Sequence, residues 1–249
     1  MVAMQIGLIG SGNMARAMVR GWGEPVLCTD ALPGRAEALA AEVGGEAVGG
    51  NAELAQRADL VILCHKPPQL GEVAAEIAPH VRAVASILGG VPLAALREAY
   101  GDTPVHRFMP STPVEVRQGA VIHARDGAGD PAVLELFGRL GTLVSLPESQ
   151  VDVAMALMSN APAYWALLVE AQIDAGVRHG LPADQAAALV VQTMGGTAAL
   201  LRERAYDTLA VRREVTSPGG STARGLDALE RAGVRAAFSD AADAVLGGR

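Results

Sequence analysis

Short apolar runs alternate with amphipathic segments over the first 147 residues of the chain. The apolar runs, each bounded by turn residues, predict strands at residues 4–9, 26–29, 60–64, 83–88, 105–108 and 119–124. The amphipathic segments between them predict helices at residues 14–22, 35–42, 52–56, 69–77 and 93–99. Because the strands are apolar on both faces, this alternation favours a parallel-rich sheet covered by helices on both sides.

The pattern changes at about residue 148, after which it predicts helices alone. The spacing of Ser149 and Asp152 is typical of a helix start, and the helix is expected to continue to about His179 with a kink at Pro162. A second long helix is expected at residues 183–204, followed by two or three shorter ones. We therefore predict an α/β domain at residues 1–147 and an all-α domain at residues 148–249. The α-domain is rich in small residues and poor in bulky ones, so we expect it to pack against a second copy.

Charge and cysteine content narrow the class of protein. The net charge is −7 and the arginines are scattered, which argues against binding to nucleic acid. Cys28 and Cys64 lie in predicted strands, where we expect them to be reduced core residues. No stretch resembles a signal peptide, a membrane span or a metal-ligand pattern, so a cytoplasmic protein without a bound metal or a membrane partner is expected.

The first predicted strand leads directly into a glycine-rich turn. Gly10, Gly12 and Ala15 form the pattern G-x-G-x-x-A between a strand and a helix. In this pattern the first glycine permits the tight turn, the second lets a pyrophosphate approach the backbone, and the small third residue lets the helix pack closely. The helix N-terminus supplies free N–H groups to the phosphates. The pattern in this position predicts a Rossmann-type dinucleotide-binding domain.

The end of the second predicted strand bears on which dinucleotide is bound. Asp30 follows Gly10 by twenty residues, where an acidic side chain typically accepts the ribose 2′-hydroxyl of NAD. Arg35 lies nearby and suits the 2′-phosphate of NADP, and Thr29 could contact either group. These residues by themselves leave both nucleotides open.

His65, Lys66 and Pro67 follow the third predicted strand, at the edge of the sheet where ligands bind in open α/β folds. Lys66 is the single lysine of the chain, and it serves either as a cofactor contact or as an ordinary solvated loop residue. His65 is expected to lie near the cofactor without an acid–base role. His80, His106, His123 and His179 are isolated along the chain and are assigned no function.

A second glycine-rich loop lies near the other end of the chain. Residues 216–222 contain two adjacent glycines flanked by hydroxyl side chains, and they precede a helix predicted at residues 223–232. Converging N–H groups in such a loop could hold a small carboxylate, or the loop could be an ordinary capped turn.

Several separate stretches together resemble the pyrroline-5-carboxylate reductases. The cofactor turn at residues 6–15, the pair Asn51 and Glu53, the run at 59–67 that ends in Lys-Pro, and the run at 86–91 occur in the family's order. Residues 107–113 are similar to the family's Arg-x-Met-Pro-Asn-x-Pro, and residues 161–164 match the end of its Gly-Ser-Gly-Pro-Ala-Tyr. The stretch 215–233, with Ser-Pro-Gly-Gly-Ser-Thr and then Gly-Leu-x-x-Leu-Glu-x-x-Gly, is the most specific of them.

The resemblance implies a reaction and a set of site residues. A hydride passes from NADPH, or from NADH, to the C=N carbon of 1-pyrroline-5-carboxylate and gives L-proline, the last step of proline biosynthesis. The Ser217 hydroxyl and the backbone around Gly219, Gly220 and Ser221 would hold the substrate carboxylate, and Thr222 would be catalytic by hydrogen bonding to the ring nitrogen. The residues expected to bind the cofactor are Gly10, Gly12, Asn13, Met14, Thr29, Asp30, Arg35, Asn51, His65, Lys66 and Pro67.

The resemblance also implies a homodimer with interlocked helical domains, in some cases assembled into a larger ring of dimers. In such a dimer the substrate loop would face the partner's cofactor domain.

The chain departs from the family pattern at two places, and these departures leave alternatives open. Ser111 stands where asparagine is usual, and Ser159, Asn160 and Ala161 stand where Gly-Ser-Gly is usual. One alternative is a reductase of another cyclic imine on the same fold, and another is a cofactor-binding paralogue without activity. A 3-hydroxy-acid dehydrogenase is disfavoured, because it would need a catalytic lysine in a helical domain that contains none.

Overall fold

The computed structural model describes residues 4–127 and 129–247. Its strands are β1 (Ile6–Ile9), β2 (Leu27–Thr29), β3 (Glu46–Ala47), β4 (Leu60–Leu63), β5 (Val84–Ser86), β6 (Val105–Pro110), β7 (Gly119–Arg125) and β8 (Gly141–Pro147). Its helices are α1 (Asn13–Trp22), α2 (Arg35–Val43), α3 (Asn51–Arg57), α4 (Leu70–Ile77), α5 (Leu93–Tyr100), α6 (Pro131–Gly138), α7 (Val151–Met158), α8 (Ala161–Arg178), α9 (Ala183–Glu203), α10 (Thr208–Glu214), α11 (Ser221–Arg231) and α12 (Val234–Gly247). Residues up to Pro162 form one compact unit, and residues from Ala163 onward form another.

The eight strands form one sheet in the order β3-β2-β1-β4-β5-β6-β7-β8. β1 to β6 run parallel, β7 is antiparallel to β6, and β8 is parallel to β7. The predicted parallel-rich sheet of a Rossmann-type domain is therefore confirmed. The chain winds in opposite directions on the two sides of β1 and β4, and this reversal opens a crevice at the carboxyl ends of these strands.

Alternate residues of the central strands point into two separate apolar layers. Leu8 of β1 packs in the layer that contains α1, whereas Ile9 packs in the layer on the opposite face of the sheet. In the first layer the Trp22 ring meets the edge of Phe137 at 5.8 Å between centroids, and its indole N–H donates to the Leu136 carbonyl at 2.9 Å. Burial on both faces explains why the strands read as continuous apolar runs.

Three elements of the first unit were not predicted from the sequence: β3, α6 and β8. β3 has only two residues, and both are at least partly exposed. β8 is an edge strand whose side chains are all at least partly exposed, so it lacks a continuous apolar run. α6 did carry a start signal, because the Asp130 side chain accepts the Ala132 N–H and Pro131 occupies the first helical position.

The long helix predicted from Ser149 to about His179 is wrong, because the structure has two helices there. A short 3-10 turn leads into α7, which begins at Val151. Ser159 and Asn160 are not helical and separate α7 from α8. Pro162 lies in the first turn of α8, where its missing N–H has no helical partner to lose, so it starts a helix instead of bending one. Val151 is fully buried in the apolar layer that also holds Ile9, which groups α7 with the sheet.

Within the described residues of the second unit the secondary structure is helical, as predicted, with three short helices after the two long ones. It buries few of its own side chains. Of the 21 residues of α9, one is buried, Ala186. Trp165, Leu167 and Leu189 are exposed to 50%, 63% and 59%. No helix among the described residues is long and apolar enough to cross a membrane.

Candidate active site

The turn between β1 and α1 has the geometry that its glycines predict. Gly10 has φ +101° and its N–H donates to the Thr29 carbonyl at 2.9 Å. A Cβ at Gly10 would come within 2.7 Å of the Cys64 carbonyl, so a side chain has no room there. A Cβ at Gly12 would meet no atom within 4 Å, because this glycine faces the open crevice. Gly12 is also the N-cap of α1 and no side chain caps it, which leaves first-turn N–H groups free for an anion.

Asp30 is bonded to two main-chain N–H groups of the protein itself. One carboxylate oxygen accepts the Ser11 N–H at 2.7 Å and the other accepts the Leu32 N–H at 2.8 Å. The carboxylate therefore links the glycine turn to the loop that follows β2. Neither contact was predicted: the bond to Ser11 depends on tertiary proximity, whereas the bond to Leu32 is a local one within the turn.

Thr29 begins a chain of side-chain hydrogen bonds along the floor of the crevice. Its buried hydroxyl donates to the side-chain carbonyl oxygen of Asn51 at 2.6 Å. The Asn51 amide in turn donates to the Glu76 carboxylate at 2.8 Å. Thr29 thus orients Asn51, and Glu76 is a further polar residue of the crevice.

Arg35 opens α2 beside this network and is exposed. Its guanidinium forms no ion pair with any carboxylate in the described part of the chain, in contrast to Arg16, which pairs with Glu42 at 3.0 Å. Arg35 therefore presents an uncompensated positive charge to the side of the crevice on which Asp30 is already bonded to the backbone.

The segment after β4 forms the opposite wall. The His65 ring nitrogen Nδ1 lies 2.9 Å from the Lys66 carbonyl, so Nδ1 carries the proton when the ring is neutral. Burial lowers the pKa of His65 and favours that neutral form, while the contact with the Lys66 carbonyl acts in the opposite direction. The Gln69 side chain accepts the Lys66 N–H at 3.0 Å and thereby fixes the loop, and the Lys66 side chain is exposed.

These segments enclose one cleft of about 840 Å³ at the carboxyl ends of the strands. Of the eleven residues predicted to bind the cofactor, ten line it: Gly10, Gly12, Asn13, Met14, Thr29, Asp30, Arg35, Asn51, His65 and Lys66. Pro67, the first residue of a 3-10 turn, does not line it. Ser11, Gln69, Val73 and Glu76 also line the cleft and were not predicted. The cleft, the uncapped helix and the open space at Gly12 together fit a dinucleotide pyrophosphate.

The second glycine-rich loop belongs to the helical unit and forms a type II β-turn. The Gly220 N–H donates to the Ser217 carbonyl at 3.0 Å, with Pro218 in the second position and Gly219 in the third at φ +68°. The following helix begins at Ser221, two residues before the predicted start, because Gly220 serves as its N-cap. No hydrogen bond within the described ranges engages the hydroxyls of Ser217, Ser221 or Thr222, so all three are available to a ligand.

Comparison with known proteins shows the family. Residues 148–247 match the model of pyrroline-5-carboxylate reductase dimerisation, and residues 5–90 match that of NADP oxidoreductase, coenzyme F420-dependent. The pyrroline-5-carboxylate reductase of Synechocystis is 32% identical over 96% of this chain and 95% of its own length. The chain belongs to the pyrroline-5-carboxylate reductase family.

Solved structures of the family agree with this fold over nearly the full length. A pyrroline-5-carboxylate reductase from Coxiella burnetii superposes with a TM-score of 0.87 at 28% identity, covering 98% of this chain and 96% of that one. A pyrroline carboxylate reductase from Plasmodium falciparum, crystallised with NADP bound, gives 0.84 at 27% identity, again over 98% and 96%. The resemblance read from the sequence is therefore confirmed.

The departures from the pyrroline-5-carboxylate reductase pattern have local structural explanations. The buried Ser111 hydroxyl donates to the Ala120 carbonyl at 3.1 Å and accepts the Ala120 N–H at 2.9 Å, so it completes the pairing of β6 with β7. Ser159 has φ −75° and Ala161 is already helical, so neither position needs the conformational freedom of glycine.

Proposed function

We propose that this protein reduces 1-pyrroline-5-carboxylate to L-proline with NADPH, through the residues of the two glycine-rich loops. The proposal rests on a dinucleotide cleft and on a hydroxyl-rich turn before an uncapped helix, in a chain that matches the pyrroline-5-carboxylate reductase family over nearly its whole length. NADH is the alternative donor, and the placement of Asp30 and Arg35 favours NADPH.

On the cofactor side, the residues of the cleft bind and orient. Main-chain N–H groups at the start of α1 receive the pyrophosphate beside Gly12. Arg35 pairs with the 2′-phosphate. The two Asp30 oxygens already accept main-chain N–H groups, which partly offsets the repulsion between this carboxylate and the phosphate. Asn51, His65 and Lys66 contact the remainder of the nucleotide from the other wall.

On the substrate side, the loop from Ser217 to Thr222 binds a small cyclic carboxylate. The Ser217 hydroxyl and the N–H groups of Gly219 and Ser221 receive the carboxylate, since α11 has no side-chain cap and no acidic residue in its first turn. The Gly220 N–H closes the turn between them by donating to the Ser217 carbonyl.

Thr222 supplies the catalytic contact. Its hydroxyl, one residue further into the helix, hydrogen-bonds to the ring nitrogen. The bound NADPH supplies the hydride that forms the new C–H bond at the imine carbon. The C=N π pair becomes the nitrogen lone pair, and the nitrogen retains a proton that Thr222 holds in place. The residues act mainly by positioning, because an imine nitrogen is basic enough to be protonated without a strong acid.

A homodimer is part of the proposal. The helical unit exposes large apolar side chains on α8 and α9, and a second copy would bury them. Residues 148–247 match a family model that describes dimerisation. Assembly of dimers into a ring and a cytoplasmic location complete the proposal, and the free thiols of Cys28 and Cys64 agree with a reducing compartment.

The decisive experiment follows NADPH oxidation at the nicotinamide absorbance band with 1-pyrroline-5-carboxylate, and identifies proline as the product. Parallel assays with a six-membered cyclic imine carboxylate and with 3-hydroxy acids plus NADP test the neighbouring specificities. A larger kcat/KM for the six-membered imine than for 1-pyrroline-5-carboxylate would show that the six-membered imine is the preferred substrate. Absence of turnover with every substrate, despite NADPH binding, would identify a non-catalytic paralogue.

A further inference from the structure

Arg224 lies in the first turn of α11, the helix that follows the substrate loop. Its guanidinium donates to the Gly219 carbonyl at 2.8 Å, across five residues of sequence. Gly219 holds the left-handed position of the type II turn, at φ +68°. The contact therefore connects a side chain of the helix to the one residue whose conformation sets the direction of the loop.

The position of this cation is unusual for a helix. Positive side chains are unfavourable near the positive N-terminal end of a helix and favourable near its C-terminal end. On the same helix, Arg231 lies in the last turn and pairs with Asp227 at 2.9 Å. Arg224 lies at the opposite end and forms no ion pair with any carboxylate among the residues the structure describes, and the first turn contains no acidic residue. Arg224 is exposed, and its guanidinium donates to the Gly219 carbonyl.

The hydrogen bond restrains the loop in a specific way. A glycine pair is flexible, and each residue that becomes ordered only on binding weakens the affinity for the ligand. The Ser217–Gly220 bond closes the turn from one side, and the Arg224–Gly219 bond anchors its third residue to the helix from the other. The free N–H groups at the start of α11, beginning with that of Ser221, are thus oriented before a ligand arrives.

We infer that Arg224 is a substrate-positioning residue, which fixes the Gly219 turn so that the free N–H groups at the start of α11 remain directed at the substrate carboxylate. This inference rests on the proposed function, because the loop is assigned to the substrate there. It adds a side chain outside the loop to the five substrate-binding residues already named.

The test compares Arg224→Met with the wild-type enzyme in steady-state assays. Methionine keeps the length of the side chain and favours helix, but it has neither donor nor charge. The KM for 1-pyrroline-5-carboxylate should rise about fivefold to tenfold, as expected for a lost charge-assisted hydrogen bond, while the KM for NADPH stays within about twofold. Arg224→Lys, which keeps a charged donor, should recover most of the loss. Arg231→Ala is the matched control and should leave both KM values unchanged.

Each outcome decides between distinct conclusions. An unchanged KM for the imine in Arg224→Met, with an active wild-type enzyme, overturns the inference. Equal rises in both KM values accompanied by a lower melting temperature also overturn it, because they indicate general destabilisation. If Arg224→Met does not fold, Arg224→Ala is measured by the same criteria, and recovery in Arg224→Lys remains required. Lack of turnover by the wild-type protein instead refutes the proposed function on which the inference depends.

Discussion

The carboxylate of Asp30 accepts the main-chain N–H of Ser11 at 2.7 Å, which ties the end of β2 to the glycine turn between β1 and α1. Its other oxygen accepts the N–H of Leu32 at 2.8 Å. An acidic residue at this point of a Rossmann domain usually contacts the ribose. Here both oxygens accept main-chain N–H groups of the protein itself, so Asp30 has a structural role apart from any ribose contact.

Replacement of Asp30 distinguishes these two roles. In Asp30→Ala the turn loses a charge-assisted hydrogen bond, and the dissociation constants of NADPH and NADH should both rise by about tenfold. Fluorescence titration of each reduced nucleotide measures them. Tighter NADPH binding together with weaker NADH binding would mean that the carboxylate faces the ribose after all. Asp30→Asn, which keeps one acceptor oxygen, should be intermediate.

Replacement of Arg35 should change nucleotide preference instead. Its guanidinium forms no ion pair within the described ranges and lines the cleft beside Asp30. We expect Arg35→Ala to raise the KM for NADPH by about tenfold and to leave that for NADH nearly unchanged, because NADH lacks the phosphate. Arg82→Ala, at an exposed arginine paired with Asp59, is the control. A parallel loss with both nucleotides would place the 2′-phosphate elsewhere.

The two turn glycines should respond differently to valine. The space that a side chain at Gly12 would occupy is open, and the φ of Gly12 is −73°. Gly12→Val should therefore fold with a melting temperature close to that of the wild type. The new side chain would occupy the path of the pyrophosphate and raise the NADPH dissociation constant by at least about a hundredfold. Gly10→Val, with φ +101° and the Cys64 carbonyl in the way, should be destabilised before any binding is tested. Calorimetry and NADPH titration on both variants check this contrast, and tight binding by Gly12→Val would contradict it.

Loss of the Thr222 hydroxyl should affect chemistry more than binding. We expect Thr222→Ala to lower kcat by about a hundredfold, in the range of a lost proton-handling contact. The NADPH dissociation constant should stay within about twofold of the wild-type value, since the residue lies in the other glycine loop. Thr222→Ser keeps the hydroxyl and serves as the control. Unchanged turnover in the alanine variant would remove Thr222 from the mechanism.

The apolar surface of the helical unit predicts the assembly state. Sedimentation should give at least about twice the monomer mass of 25.5 kDa. Leu189→Asp places a charge on the exposed face of α9 and should shift the protein toward monomer with loss of thermal stability. Val116→Asp, at a residue that is 68% exposed in the other unit, should change neither property. A monomeric wild-type protein would refute the dimer.

The sequence predicted the parallel core and the glycine turn because both depend on local pattern. Leu8 and Ile9 are buried on opposite faces, and that burial is what a continuous apolar run records. β8 was not predicted, because an edge strand does not need a continuous apolar run. Pro162 was misread because a proline that starts a helix and one that bends it look alike in sequence. The domain boundary at residue 147 stays a prediction: strands end there, but α7 packs on the sheet.

The same limit applies to the site. Ten cleft residues could be named from motif and position, yet the bond from Asp30 to Ser11 and the chain from Thr29 to Glu76 depend on tertiary contact. No residue spacing encodes them. The roles assigned to the individual site residues await the variants described above.

Lys66 carries the single ε-amine of the sequence, and its side chain is exposed at the mouth of the dinucleotide cleft. A lysine-directed acylating reagent therefore has one side chain to modify, apart from the α-amino group of the chain. Covalent labelling of the native protein would report directly on this wall of the cleft. Protection of Lys66 by a nucleotide would show that the cleft is occupied, without any engineered residue.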